Sequence, residues 1–173
     1  MAVPPLAVRV TDLTGTLTAD QKAALEQTLQ DFERSKGSQI AVLLVPTTAP
    51  ESIEQYSMRV AEQWKLGRKG VDDGALLLIA KDDRALRIEV GYGLEGVLTD
   101  IASKRIVSDV IVPHLKDGDF YQGIVAGVDR MIRLIDGEPL PAPAPQENWE
   151  ESFNEPLPGA VIAGLFGGKL LRM

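Results

Sequence analysis

Apolar residues fall into two rhythms along this chain, recurring three or four apart in some stretches and running unbroken in others, and the change of rhythm marks the elements. Val8 to Val10 reads as a short strand, followed by a turn at Asp12-Leu13-Thr14-Gly15. Thr18 and Gln21 have capping-box spacing, and Leu25, Leu29 and Phe32 then recur at helical intervals until Gly37. Ile40 to Val45, reading IAVLLV, is too short for a helix and does not alternate, so it predicts a central strand covered on both faces. Ser52 and Gln55 repeat the capping spacing ahead of a stripe of Ile53, Tyr56, Val60 and Trp64, read as core, with the helix ending at Gly67.

Ala75 to Ala80 predicts a second buried strand. Asp82-Asp83-Arg84 turns the chain into Ala85 to Val90, where Leu86, Ile88 and Val90 alternate with Arg87 and Glu89. That is a hairpin whose second strand has one wet face. A helix capped by Thr99 or Asp100 follows, with Ala102, Ile106, Val107, Val110 and Ile111 inward and Pro113 as its break. Asp119 and Gln122 open the last helix, where Phe120, Ile124, Val128, Met131 and Ile132 form a stripe ending at Gly137. Gly123 and Gly127 are read as letting it pack closely on the sheet. The proline-rich 138–146 predicts a linker, and 147–173 a tail in which Trp149 and Phe153 stand four apart among Glu147, Glu150, Glu151 and Glu155. Residues 1–7 are read as an extended N-terminal segment ahead of a domain spanning 8–137.

Composition narrows the chemistry. At 173 residues and 45% hydrophobic, the chain holds one well-buried domain with a remainder. A net charge of −7 with scattered Lys and Arg argues against nucleic acid. The absence of cysteine removes thiolate sites and disulfides, and a lone histidine, His114, makes zinc and a Ser-His-Asp triad poor readings. No phosphate loop is present, and the Gly-x-Gly at Gly91 and Gly93 lacks the third glycine of a dinucleotide fingerprint, so no nucleotide is expected.

The strongest site candidate is Gly91 to Asp100, GYGLEGVLTD, between a strand and a helix. Open α/β sheets place ligands at strand carboxyl ends, which makes Gly91, Gly93 and Glu95 the candidate cofactor-binding residues. A second candidate is the polar loop Arg68 to Gly74. Asp12, Asp72, Asp73, Glu95 and Asp100 all fall in loops or at a helix start. If they converge, either nearby Arg and Lys neutralise them or a hard cation does.

Several motifs together resemble the TPM domain: Trp64-Lys65-Leu66-Gly67, then Lys69-Gly70-Val71-Asp72-Asp73-Gly74 leading into a buried strand, then Arg87 to Asp100. Val10-Thr11-Asp12, Pro113, Gly118-Asp119-Phe120 and Gly123-Ile124 fit the same pattern over about Val8 to Gly137. The resemblance implies a three-layer α/β/α sandwich with a small mixed central sheet flanked by helices. It also implies an extracytoplasmic, membrane-tethered domain that assists a membrane protein complex, with Ala160 to Phe166 as the possible start of an anchor. Calcium, ahead of magnesium, is the cation it implies, with Asp12, Asp72 or Asp73, and Asp100 as ligands and Glu95 further out. The alternatives are a metal-assisted acid phosphatase, for which Arg68 and Lys69 would hold phosphate, and an interaction domain without metal.

Overall fold

The computed structural model describes residues 2–137; the linker, the tail with Trp149 and Phe153, and Ala160 to Phe166 lie outside the described residues. Four strands make one sheet in the order β1 (Val10–Asp12), β2 (Gln39–Val45), β3 (Gly74–Ala80), β4 (Ala85–Val90). The first three are parallel, and β4 returns antiparallel on β3 with Leu77 opposite Ile88. The unbroken apolar runs of β2 and β3 follow from that central position, since both strands are buried on both faces.

On one face, Val42, Leu44, Leu77 and Ile79 pack against α1 (Ala19–Lys36), which supplies Leu25, Leu29 and Phe32, and α5 (Phe120–Ile135), which supplies Ile124, Val128 and Met131. On the other, Leu43, Val45, Leu76 and Leu78 meet Tyr56, Val60 and Trp64 of α2 (Ile53–Trp64). This is the expected three-layer α/β/α sandwich with a mixed sheet. The Thr18/Gln21 and Ser52/Gln55 capping boxes both form, satisfying amide groups that the first helical turn leaves without partners. Beyond α2 lies the N-terminal segment: Tyr56 Oη donates to the Ala2 carbonyl at 2.8 Å and Trp64 Nε1 to that of Pro4 at 2.7 Å.

Four expectations change. The first strand is Val10–Asp12 rather than Val8 to Val10, because its register is set by pairing with Val42 to Leu44. The face of β4 expected to be wet is partly covered by α2, whose Ser57 hydroxyl donates to Glu89 at 2.8 Å, with Arg87 on the same carboxylate at 3.0 Å. Pro113 does not end its helix. A short α3 (Asp100–Arg105) runs into a π-helical stretch, Ile106–Ile111, and then into α4 (Val112–Lys116), so that Pro113 falls just after the widened stretch and the chain stays helical through it. Gly127 faces this π stretch and Gly123 mainly α4, rather than the sheet: a Cβ on Gly127 would stand 2.5 Å from Ile111 Cδ1, and one on Gly123 3.1 Å from Leu115 Cδ2.

Candidate functional site

The sheet has two ends, and its strand directions decide which residues share one. Because β4 is antiparallel, the carboxyl end of β4 lies at the amino edge of β1 to β3. Gly91 therefore stands beside Gly74 and the Arg68–Asp73 loop, while Asp12, at the carboxyl end of β1, stands at the opposite edge. A strand of seven residues such as β3 separates the edges by about 20 Å. The chain thus divides the candidate carboxylates between two ends, Asp12 at one and Asp72, Asp73 and Asp100 toward the other. Among the described residues no group of three or more acidic or histidine side chains is arranged to hold a metal ion.

At the Gly91 end the contacts are backbone to backbone. The Gly91 amide donates to the Gly74 carbonyl at 2.7 Å, and the Gly93 amide to that of Asp72 at 2.9 Å. A Cβ on Gly93 would sit 1.9 Å from the Val71 carbonyl oxygen, and one on Gly91 2.5 Å from that of Asp72. These glycines are required because the Val71-Asp72 backbone fills the space a side chain would take. Tyr92–Leu94 forms a 3₁₀ turn, and buried Leu94 and Leu98 anchor the segment to the core. Thr99 then caps α3 by accepting from the Ala102 amide at 3.1 Å.

Asp73 is the buried acid of this end. Its carboxylate accepts from the Arg68 amide at 2.8 Å and from Arg68 Nε at 2.9 Å, with Nη2 and the Ser38 hydroxyl also on Oδ2. Burial pushes its pKa up, but the Arg68 hydrogen bonds outweigh that and hold it below the ordinary value. Of the two fates foreseen for the carboxylates, Asp73 meets the first, neutralisation by a neighbouring cation. Arg68 holds Asp73 through Nε and Nη2, and the rest of its guanidinium is open to solvent. Asp72 is exposed with its backbone at positive φ (55°). Glu95 is exposed, and Asp100 pairs with Lys104 at 3.2 Å on the surface.

Asp12 closes its own loop. Its carboxylate accepts from the Thr14 and Leu17 amides, each at 2.8 Å, and from the Thr14 hydroxyl. Burial raises its pKa and these donors lower it, with a net depression. His114, half-buried in α4, contributes its carbonyl to the amides of Asp117 and Asp119.

What sequence reasoning missed at the Gly91 end is its apolar display. Tyr92 is 81% exposed and Ile101 72%, and Val71 and Val97 are also open to solvent. Each breaks the local pattern, an aromatic between glycines or an isoleucine on the outer side of a capped helix, and that breach was the available signal.

Residues 10–134 match the family model of the TPM domain. The solution structure of the N-terminal domain of a protein from P. gingivalis is 32% identical, covering 78% of this chain and 89% of its own, with a TM-score of 0.72. The N-terminal domain of a Corynebacterium glutamicum protein is 16% identical over 76% of this chain and 84% of its own, with a TM-score of 0.59. A protein of the psychrophilic bacterium Bizionia argentinensis is 24% identical over 71% and 83%, with a TM-score of 0.61. The last two, at those identities, show the fold alone. Comparison with curated proteins gave no match.

Proposed function

The chain belongs to the TPM domain family, and from that premise we propose that it is a non-catalytic interaction domain that presents the Gly91–Asp100 end to a protein partner. The observation that carries this reading is the outward display of Tyr92, on backbone fixed by glycine packing, and of Ile101, in the helix that Thr99 caps. Large apolar side chains on a preorganised surface lose little freedom when a partner covers them, and aromatics supply much of the energy at interface centres.

The acidic residues take a narrower part than five converging ligands. Asp72, Glu95 and Asp100 are exposed on the same segments as the apolar residues, and calcium demands six to eight oxygens. In this proposal they hold calcium only together with oxygens of the partner or of water. Membrane tethering and assistance to a membrane complex enter through the family resemblance. Among the described residues no helix is long and apolar enough to cross a membrane.

The test is site-specific photocrosslinking from position 92 in cells of the source organism, with position 58 as control, since Met58 is also exposed (54%) but lies on α2. The expected result is a defined adduct from position 92 alone. Its identified protein should bind the purified chain and lose about tenfold or more in affinity with Tyr92→Ala and Ile101→Ala together. Equal adducts from both positions, or binding indifferent to the double variant, would overturn the reading. Thermal unfolding with chelator, calcium and magnesium tests the cation: the free chain should shift little, and a calcium-dependent rise lost in Asp100→Asn would restore a metal site intrinsic to the domain.

A further inference from the structure

At the other edge of the sheet, a cleft of about 500 Å³ opens where β3 ends and β4 begins, lined by Ile79, Lys81, Asp82, Arg84, Lys116 and Phe120 among others. In a chain of net charge −7 this lining is basic, Lys81, Arg84 and Lys116 standing against Asp82. The adjacent Asp83 is engaged elsewhere, accepting from the Thr47 hydroxyl at 2.8 Å and the Thr48 amide at 3.0 Å.

The cleft is held in place from several sides. The Lys81 amide donates to the Val45 carbonyl at 2.9 Å and the Asp82 amide to that of Pro46 at 2.8 Å, tying the turn to β2. The Lys81 ammonium is fixed by the Thr16 hydroxyl at 3.0 Å and by the Phe120 ring, whose centroid lies 5.2 Å away. An ammonium carries three donors, so Lys81 has hydrogen-bonding capacity beyond Thr16. Among the described residues none of the three cations has a carboxylate at ion-pair distance. Partial desolvation against the cleft wall holds the Lys116 ammonium below its ordinary pKa although the residue as a whole is exposed, the direction for a cation with no acid beside it. Ile79, Leu115 and Phe120 make the remaining wall apolar.

The geometry points to a second binding site, in this cleft, for a small organic anion that joins an oxyanion head to a flat apolar body. Lys81, Arg84 and Lys116 receive the head through charge-assisted hydrogen bonds, and Phe120 with Leu115 covers the body. The site lies outside the carboxyl ends of the parallel strands, where α/β sheets take ligands, and at the opposite edge from Tyr92 and Ile101. It is independent of the interaction surface proposed above.

Amide chemical shifts of the purified chain, followed with benzoate, phenyl phosphate and inorganic phosphate at constant ionic strength, test this. Saturable shifts confined to 79–85 and 115–120 are expected with benzoate, phenyl phosphate or both. The one that binds defines the head as carboxylate or phosphoryl, and inorganic phosphate should bind more weakly for want of the apolar body. Arg84→Gln combined with Lys116→Gln should weaken binding about tenfold or more, whereas Lys116→Arg should retain it. Both replaced residues are exposed, and an unchanged melting temperature verifies that the double variant folds. Shifts reproduced by chloride, shifts of equal size in the double variant, or no saturation by about 10 mM would overturn the proposal.

Discussion

Asp72 and Asp73 are neighbours with opposite circumstances, and the difference comes from one backbone dihedral. Positive φ at Asp72 turns that residue outward and sends the next carboxylate in beneath Arg68. Asp73→Asn should lower stability by about 1–3 kcal/mol in urea unfolding, since buried donors lose a charged acceptor, while Asp72→Asn should leave the midpoint unchanged. The glycines divide the same way. Gly93→Ala drives a Cβ into the Val71 carbonyl and should cost about 3 kcal/mol or more, whereas Gly96→Ala, with nothing within 4 Å, should fall within about 0.5 kcal/mol of the parent. Sequence alone showed that glycine and aspartate were concentrated here. It did not show which glycine faces a carbonyl or which aspartate is buried, because the first depends on the Val71-Asp72 backbone some twenty residues away and the second on Arg68 folding back over the loop with Ser38 beside it.

The strands and the capped helices were legible because each carries its own signal, an unbroken apolar run or a Ser/Thr cap with Gln three residues on. The stretch from Asp100 to Lys116 was not. Its apolar positions read as one helix ending at proline, but the π-helical turn in the middle shifts the face that Ile106 and Ile111 present, and α5 answers with glycine at 123 and 127. Gly127→Ala should destabilise by about 1 kcal/mol, since the atoms it meets are the flexible end of Ile111. Shortening that end with Ile111→Val should recover part of the loss, so a double-mutant cycle should show coupling between the two sites.

Across the molecule, the direction of β4 assigns residues to ends, and direction is a property no single stretch of sequence displays. The sandwich was readable from the order of elements; the separation of Asp12 from Asp73 required the hairpin. At each end an aspartate is held below its ordinary pKa by hydrogen bonds that outweigh burial. A depressed carboxyl contributes stability above its unfolded value and loses it as pH falls through the folded one, so the urea midpoint should drop below about pH 4, and less steeply in Asp73→Asn. The glycine lock has a further consequence. Since main-chain atoms and the buried Leu94 and Leu98 hold the Gly91–Asp100 segment, the outward side chains at 92, 95, 97 and 101 carry little of the folding information. Those positions can be randomised together in a display library with most members still folded, and the domain becomes a scaffold whose recognition can be rewritten without redesigning its architecture.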